Sequence, residues 1–322
     1  MNKTYLQWIE AEVKKQKFGS EPPALYDPIR YIMGLGGKRL RPLLVLLAYS
    51  LYKKNPKRVA PVATAIEAFH NFTLLHDDIM DNAPLRRGKK TVHVKWNVNT
   101  AILAGDVMLV KVYDQLLKVE APLLKGVLAR FNACATEVCE GQQWDMVFEK
   151  TKTVSEGQYI QMIRQKTAVL LGFSLELGAM LAKAPARDQK ALRNFGIDIG
   201  IGFQLKDDWL DVFGDRKKFG KQVGGDIMAN KKTFLLITAL KRASGKDKKD
   251  LVTLTTTAQH DKARKVRAVT ALYDKLGVSG HTKSKINFYF ERGLSRLGQI
   301  DVSERKKAGL KNYALHLIDR IS

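Results

Sequence analysis

Leu74-Leu75-His76-Asp77-Asp78-Ile79-Met80-Asp81-Asn82-Ala83-Pro84-Leu85-Arg86-Arg87-Gly88 places three carboxylates within five residues and two arginines close behind them. An apolar run precedes the triplet and Pro84 and Gly88 follow it, so the acids sit at the end of a helix, where side chains reach a cavity mouth. Like charges this close are costly unless something positive lies among them. The stretch therefore reads as a site for a cation or a polyanion, against a plain solvated helix end. A second triplet at Asp207, Asp208 and Asp211 favours the site.

On a helix, residues four apart lie about 40° from each other and one turn along the axis. Asp77 and Asp81 therefore share a face, as do Asp207 and Asp211, while Asp78 and Asp208 flank the same openings. Oxygen-only donors of this kind suit Mg²⁺, which binds through one or two carboxylates plus substrate phosphates. Zinc would call for His or Cys at ligand spacing, and no such spacing lies nearby. Lys38, Arg39, Arg41, Arg86, Arg87, Lys221, Lys231 and Lys232 flank predicted helix ends or glycine turns, and Lys166 sits mid-helix. Guanidinium groups match phosphate oxygens in paired hydrogen bonds. Two carboxylate clusters among so many cations imply more than one diphosphate, one bridged by Mg²⁺ and one held directly by Lys and Arg. Each lysine taken alone reads more readily as a surface charge than as a ligand for phosphate.

Outward from the triplets, helical periodicity dominates and few stretches alternate with a period of two, which predicts an all-α protein. One or two helices are expected before residue 33, broken at Pro22, Pro23 and Pro28. Gly34 to Pro42 is a cation-rich glycine turn, and a helix from Leu43 to Leu51 follows. The next helix, about Pro61 to Asp81, buries Ala65, Ala68, Phe69 and Phe72, with Glu67 and His70 between them. Further helices are expected over 100–120, 123–147, 155–184 with Ser155 as N-cap, 189–213, 233–242, 261–276 and from about 282 onward. The segment opening Ser244-Gly245-Lys246-Asp247-Lys248-Lys249-Asp250 reads as a polar, mobile link. No internal repeat or linker divides the chain, so residues 1–322 are expected to form one domain.

The chain carries 55 Lys and Arg against 32 Asp and Glu, a formal net charge of +23, and 45% hydrophobic residues. That is enough apolar material for a large core, under a surface that favours anionic partners. The two cysteines, Cys134 and Cys139, point to different faces of one helix and are expected to stay reduced. No apolar signal core or membrane-spanning run occurs, so a soluble, unprocessed, cytoplasmic protein is expected.

Gly36-Gly37-Lys38-Arg39-Leu40-Arg41-Pro42, then His70, His76-Asp77-Asp78-Ile79-Met80-Asp81, Arg86-Arg87-Gly88, Lys166-Thr167-Ala168, Phe203-Gln204-Leu205-Lys206-Asp207-Asp208-Trp209-Leu210-Asp211 and Lys221 to Asp226 closely resemble, in order, the trans-isoprenyl diphosphate synthases. The resemblance runs from about Gly34 to Thr233 and leaves the last ninety or so residues without a motif. It implies a single-domain bundle of antiparallel helices around a deep central cavity, and a homodimer. It also implies head-to-tail condensation of isopentenyl diphosphate with an allylic diphosphate. By the same resemblance Mg²⁺ ions would be held by Asp77, Asp81 and Asp207, with Asp78, Asp208 and Asp211 in support. Arg86, Lys166, Lys221 and Lys231 would share the allylic diphosphate, while Lys38, Arg41, His70 and Arg87 would hold isopentenyl diphosphate. Thr167 and Gln204 correspond to dipoles that face the cation, and the spacing of Gln204, one turn before Asp207 and Asp208, agrees.

His70 alone reads as a satisfied core histidine, but its seven-residue offset from Asp77 keeps it on the acidic face. His76 is left structural, and Gln142 and Asp145 are read either as pocket-wall partners or as local helix-end groups. In the family, bulky residues just before the first acidic motif form the floor for the growing chain, and here these are Phe72 and Thr73. One aromatic five residues before Asp77 implies a C20 product, then C15, with longer polyprenyl products and class I terpene cyclisation as alternatives. Cyclases usually carry an Asn/Ser/Glu metal motif on the second helix, where this chain has aspartates. A non-catalytic partner subunit would not need both acidic motifs intact. Nucleic acid is disfavoured because paired carboxylates repel phosphate without metal. The excess positive charge instead suggests peripheral contact with anionic membrane.

Overall fold

The computed structural model describes residues 2–214, 224–256 and 261–319. The chain forms two compact units, one of Met1–Ala133, Phe173–Arg193 and Asp301–Leu310, the other of Cys134–Gly172, Asn194–Ile300 and Lys311–Ser322. The all-α expectation holds. Among the described residues the only strands are β1 (Leu85–Arg86) and β2 (Lys89–Lys90), a two-stranded hairpin.

The first unit is built on α1 (Asn2–Lys15), α2 (Pro23–Gly34), α3 (Leu40–Ser50), α4 (Ala60–Met80), α5 (Val92–Lys95), α6 (Val98–Leu116) and the first part of α7 (Ala121–Lys150). Helix α4 is its axis. Ala60, Ala63, Ala65, Ile66 and Ala68 are fully buried and Phe69 nearly so, and the small side chains let neighbouring helices approach closely. Burying a side chain the size of Phe69 contributes roughly 1.5–3 kcal/mol. Pro28 does not break α2 as expected. The helix starts at Pro23, suited to N1, and runs through Pro28, whose ring is buried against the core. Packing there outweighs the lost backbone hydrogen bond.

The second unit contains the rest of α7, α8 (Glu156–Ile163), a π-helical turn at Arg164–Ala168, the start of α9 (Val169–Leu181), the latter half of α10 (Ala186–Phe213), and helices at Phe234–Arg242, Gly245–Thr256, Lys262–Lys275 and Val278–Gly298. Ser155 caps α8 in a full capping box with Gln158. The 244–250 segment is a correction to the sequence reading, since Gly245–Thr256 is a helix. Its anchor is Leu251, fully buried in a cluster with Leu235, Val269 and Val278, and Lys275 Nζ reaches Asp247 at 2.7 Å. Leu254 packs on the same cluster, so tertiary packing of one apolar face orders a strip whose first half is polar. Asp198, 2% exposed, is clamped by Arg292 and Arg296 at 2.5 and 2.6 Å. Neither cysteine is in a disulfide. No helix among the described residues is long and apolar enough to cross a membrane.

Candidate active site

The first acidic triplet closes α4, with Asp77 and Asp78 in its last turn and Asp81 as its C-cap, and the second lies over the last two turns of α10, with Asp211 in the final one. A helix C-terminus carries partial negative charge, so stability alone would place cations there. Asp77, Asp78, Asp81 and Asp211 at two such ends are arranged for something other than stability.

In the first unit, α4 continues to Asp81, whose N–H donates to the Asp77 carbonyl at 2.9 Å. The three acids then divide. Asp78 is 2% exposed and its two oxygens accept from Arg86 Nε at 2.9 and 2.8 Å. Asp77 is half-buried, with Arg86 Nη2 at 3.5 Å, and Asp81 is exposed. Arg86 reaches back because of the hairpin, in which Leu85 pairs with Lys90 and Arg86 with Lys89. Its two turn residues, Arg87 (φ 53°) and Gly88 (φ 73°), are both left-handed, the signature of a tight type I′ connection.

That turn sends Arg87 over the glycine loop, where its guanidinium donates to the Gly36 carbonyl. Gly37 has φ 143°, a backbone region that side chains rarely adopt, and a Cβ there would lie 2.9 Å from Arg87 Nη2 and push that guanidinium aside. Arg39, Arg41, Arg86 and Arg87 all bear on His70. Loss of hydration first, then these positive charges, hold its imidazole well below the ordinary histidine value, so it is neutral near pH 7. Arg39 and Arg86 are already paired with carboxylates, and together with Arg41 and Arg87 they give the neutral imidazole a positive setting that favours an anion. Lys38 is exposed on the same loop. The aromatic ring of Phe72 lies 5.7 Å from that of Phe69 and 4.8 Å from the His76 ring, and Thr73 Oγ1 donates to the His70 carbonyl at 2.8 Å.

In the second unit, Lys166, Thr167 and Ala168 lie in the π-helical turn rather than in regular helix. Gly141 makes this possible, because a Cβ there would sit 2.2 Å from the Lys166 backbone nitrogen. The turn aims Lys166 Nζ at Asp145 Oδ2, 2.6 Å away, which gives Asp145 a partner beyond its own helix end. Thr167 Oγ1 donates to Gln204 Oε1 at 3.3 Å, and Gln204 Nε2 donates to Asp208 Oδ1 at 3.1 Å. Tyr159, which sequence reasoning missed, donates its hydroxyl to Asp208 Oδ2 at 2.5 Å.

Asp208 is 5% exposed, and its carboxyl is pushed up to about 7, by burial first and then by Asp226, against the pull of Tyr159, Gln204 and Lys231. Asp226, raised to about 6, is the other missed member. Its backbone N–H donates to Asp211 Oδ2 at 2.9 Å, and its carboxyl is raised by burial and by Asp211, Asp145 and Asp207 while Lys231 opposes them. Asp207 itself is exposed. Lys221 lies outside the described residues.

Each unit offers carboxylate oxygens of the kind that suits Mg²⁺ towards the C-terminal end of a helix, and in the second unit burial first and then neighbouring carboxylates raise Asp208 and Asp226. Among the described residues no three His, Cys, Asp or Glu side chains gather into an all-protein cage.

Comparison with known proteins agrees with this chemistry. The polyprenyl synthetase family model matches residues 22–273. The chain is 37% identical over 314 residues to the geranylgeranyl pyrophosphate synthase of Geoglobus acetivorans, covering 97% of this chain and 93% of that one. It is 41% identical over 252 residues to the short chain isoprenyl diphosphate synthase of Methanocaldococcus jannaschii, covering 78% and 76%. The crystal structure of geranylgeranyl pyrophosphate synthetase from Pyrococcus horikoshii superposes with a TM-score of 0.92 at 32% identity, over 99% of this chain and 97% of that one. With a family model spanning most of its length and relatives of this closeness, the chain belongs to the polyprenyl synthetase family.

Proposed function

We propose that this protein is a prenyltransferase that condenses isopentenyl diphosphate with an allylic diphosphate, giving a short-chain all-trans prenyl diphosphate, most often C20. The observation that carries the reading is the hairpin that brings Arg86 onto the first acidic triplet and Arg87 onto the glycine loop, beside a His70 kept neutral by burial and positive charge. Family membership supplies the reaction class, and the geranylgeranyl synthases among the relatives favour C20, while C15 comes next on the sequence resemblance alone.

Asp77, Asp81 and Asp207 would hold Mg²⁺, with Asp78, Asp208 and Asp211 in support. Mg²⁺ when bound neutralises the charge that develops on a departing diphosphate. Arg86, Lys166, Lys221 and Lys231 would hold the oxygens of the allylic diphosphate, and Lys38, Arg41, His70 and Arg87 would hold isopentenyl diphosphate. Cleavage of the allylic carbon–oxygen bond leaves a cation faced by the Thr167 hydroxyl and the Gln204 amide oxygen. The isopentenyl double bond then supplies its electron pair to that carbon, and loss of one proton to the released diphosphate restores the alkene. Phe72, packed on Phe69 and His76, would form the floor that stops growth, beside Thr73.

The two units interleave along the chain, which supports one domain over residues 1–322. A homodimer and peripheral contact with anionic membrane complete the proposal, the latter supported by the net charge of +23. Incubation with labelled isopentenyl diphosphate, Mg²⁺ and dimethylallyl, geranyl or farnesyl diphosphate tests the activity. Elongation that needs Mg²⁺ is expected, and no product from any starter would defeat the enzyme reading. Light scattering checks the dimer, and sedimentation with anionic against neutral liposomes checks the membrane.

A further inference from the structure

We propose that Arg39 is a positioning residue, which sets the isopentenyl diphosphate subsite through a buried ion pair with Glu67. The inference rests on Lys38, Arg41 and His70 binding that diphosphate.

Local rules argue against an arginine at position 39. It is the N-cap residue of α3, where a short oxygen-bearing side chain is favoured and a positive charge meets the positive end of the helix dipole. Its backbone is left-handed (φ 48°, ψ 38°), a region that arginine seldom adopts, and its side chain makes no capping hydrogen bond. Something elsewhere must compensate. The left-handed turn buries Arg39 to 4% exposure while Lys38, one residue earlier, stays exposed.

Inside, the guanidinium uses all three nitrogens. Nη1 donates to Glu67 Oε1 at 2.8 Å, Nε to Glu10 Oε1 at 2.9 Å and Nη2 to the Met33 carbonyl at 3.0 Å. Glu67 is 2% exposed in the middle of α4, and Asn71 Nδ2 donates to its carbonyl at 2.8 Å. It stands one turn before His70 on the same helix. The pair therefore joins the loop that carries Lys38 and Arg41 to the helix that carries His70. Glu67 also bears on Arg87, where it opposes the repulsion from Arg39 and Arg86. One buried carboxylate thus orients the loop and offsets part of the positive charge that an empty diphosphate subsite accumulates. Lysine could not reproduce this, having a single point of charge in place of a three-nitrogen plane.

The test is steady-state kinetics of the full-length protein with Mg²⁺ and farnesyl diphosphate as starter, comparing wild type with Arg39→Met, Arg39→Lys, Glu67→Gln and Glu10→Ala. Arg39→Met and Glu67→Gln should raise KM for isopentenyl diphosphate about tenfold or more, with kcat and the allylic KM within about twofold. Arg39→Lys should recover part of the loss, and Glu10→Ala should shift the same KM by less. Equal rises in both KM values, or a fall in kcat alone, in variants whose circular dichroism is unchanged would overturn the proposal. Should the buried variants not fold, Glu10→Ala decides, and an unchanged KM for isopentenyl diphosphate overturns it. A wild type that elongates no starter sinks the enzymatic reading instead. Calorimetric titration of isopentenyl diphosphate then separates the two, since weaker binding by Glu10→Ala supports the positioning role and equal binding overturns it.

Discussion

Gly141 and Lys166 touch backbone to side-chain position: a Cβ on Gly141 would lie 2.2 Å from the Lys166 nitrogen and 2.7 Å from its Cα. The π-helical turn that redirects Lys166 and Thr167 can close only against a residue with no side chain. Gly141→Ala is expected to destabilise the protein by about 1–3 kcal/mol or more, as overpacking does, and to lower kcat by moving Lys166 and Thr167. Gly157, with open space at its Cβ, is the control, and Gly157→Ala should be neutral or slightly stabilising. Thermal unfolding and turnover of both variants check this, and a fully active Gly141→Ala would remove the glycine from the account.

The acids of the first triplet should separate into two classes. Asp78 is buried against Arg86, so Asp78→Asn leaves a guanidinium poorly paired and should cost about 3 kcal/mol of stability. Asp81 is exposed, and Asp81→Asn should leave stability within about 0.5 kcal/mol. Its activity should nevertheless fall about a hundredfold or more, with a weaker Mg²⁺ activation curve. Chelation of wild type should abolish turnover and Mg²⁺ should restore it. Equal stability losses in the two variants would contradict the division.

His70 gives a pH dependence whose sign is fixed. Its native value lies well below that of the unfolded chain, so the unfolded state takes up a proton first as pH falls through about 6.5. The unfolded state then binds more protons, and stability rises with pH. The contribution is fully present above the unfolded value and is lost below it, by at most about 1.4 kcal/mol per pH unit for one proton. Denaturant titrations between pH 5 and 8, values about one unit or more either side of an ordinary histidine, should show that contribution as the difference between wild type and His70→Gln, because the opposite slopes from Asp208 and Asp226, raised to about 7 and about 6, are common to both. His70→Gln should lose it, and an equal slope in both would place the titration elsewhere.

Much of this was legible in the sequence because the strong signals are local. Ser155 announces its capping box, the alanines and Phe69 of α4 repeat at helical spacing, and both aspartate triplets are contiguous. What was hidden depends on contacts distant in the chain. Glu67 reads as one more polar residue between apolar ones until Arg39, 28 residues earlier, folds back on it. Tyr159 meets Asp208 across 49 residues. The hairpin turn was obscured because one of its two left-handed positions is Arg87 rather than asparagine or glycine.

On the proposed function, product length turns on Phe72. Spacing alone puts Thr73 nearer the acidic face, yet Thr73 turns its hydroxyl back to the His70 carbonyl while the Phe72 ring stacks edgewise on His76. Phe72→Ala is expected to shift the product beyond C20 and Thr73→Ala to change it less. Chromatographic sizing of dephosphorylated products checks this, and an unchanged length would exclude Phe72 as the floor.

Lys206 extends the reasoning to the C-terminal stretch that carried no motif. It is 1% exposed, yet its Nζ lies 2.5 Å from the carbonyl oxygens of both Leu317 and Ile318, in the last turn of the helix Glu304–Asp319. A buried ammonium is expensive unless its protons are taken up, and helix-end carbonyls, which lack partners of their own and carry negative charge, are well suited to accept them. The contact therefore ties the chain's last helix to the turn of α10 that begins the second acidic triplet. Lys206→Met keeps the bulk and removes the donor, leaving two carbonyls underbonded at a cost of about 1–3 kcal/mol, concentrated in that helix. Amide exchange over residues 311–319 should quicken about tenfold or more while exchange in α4 stays unchanged. Unaltered protection at the C-terminal helix would show that Lys206 is held there without holding anything in return.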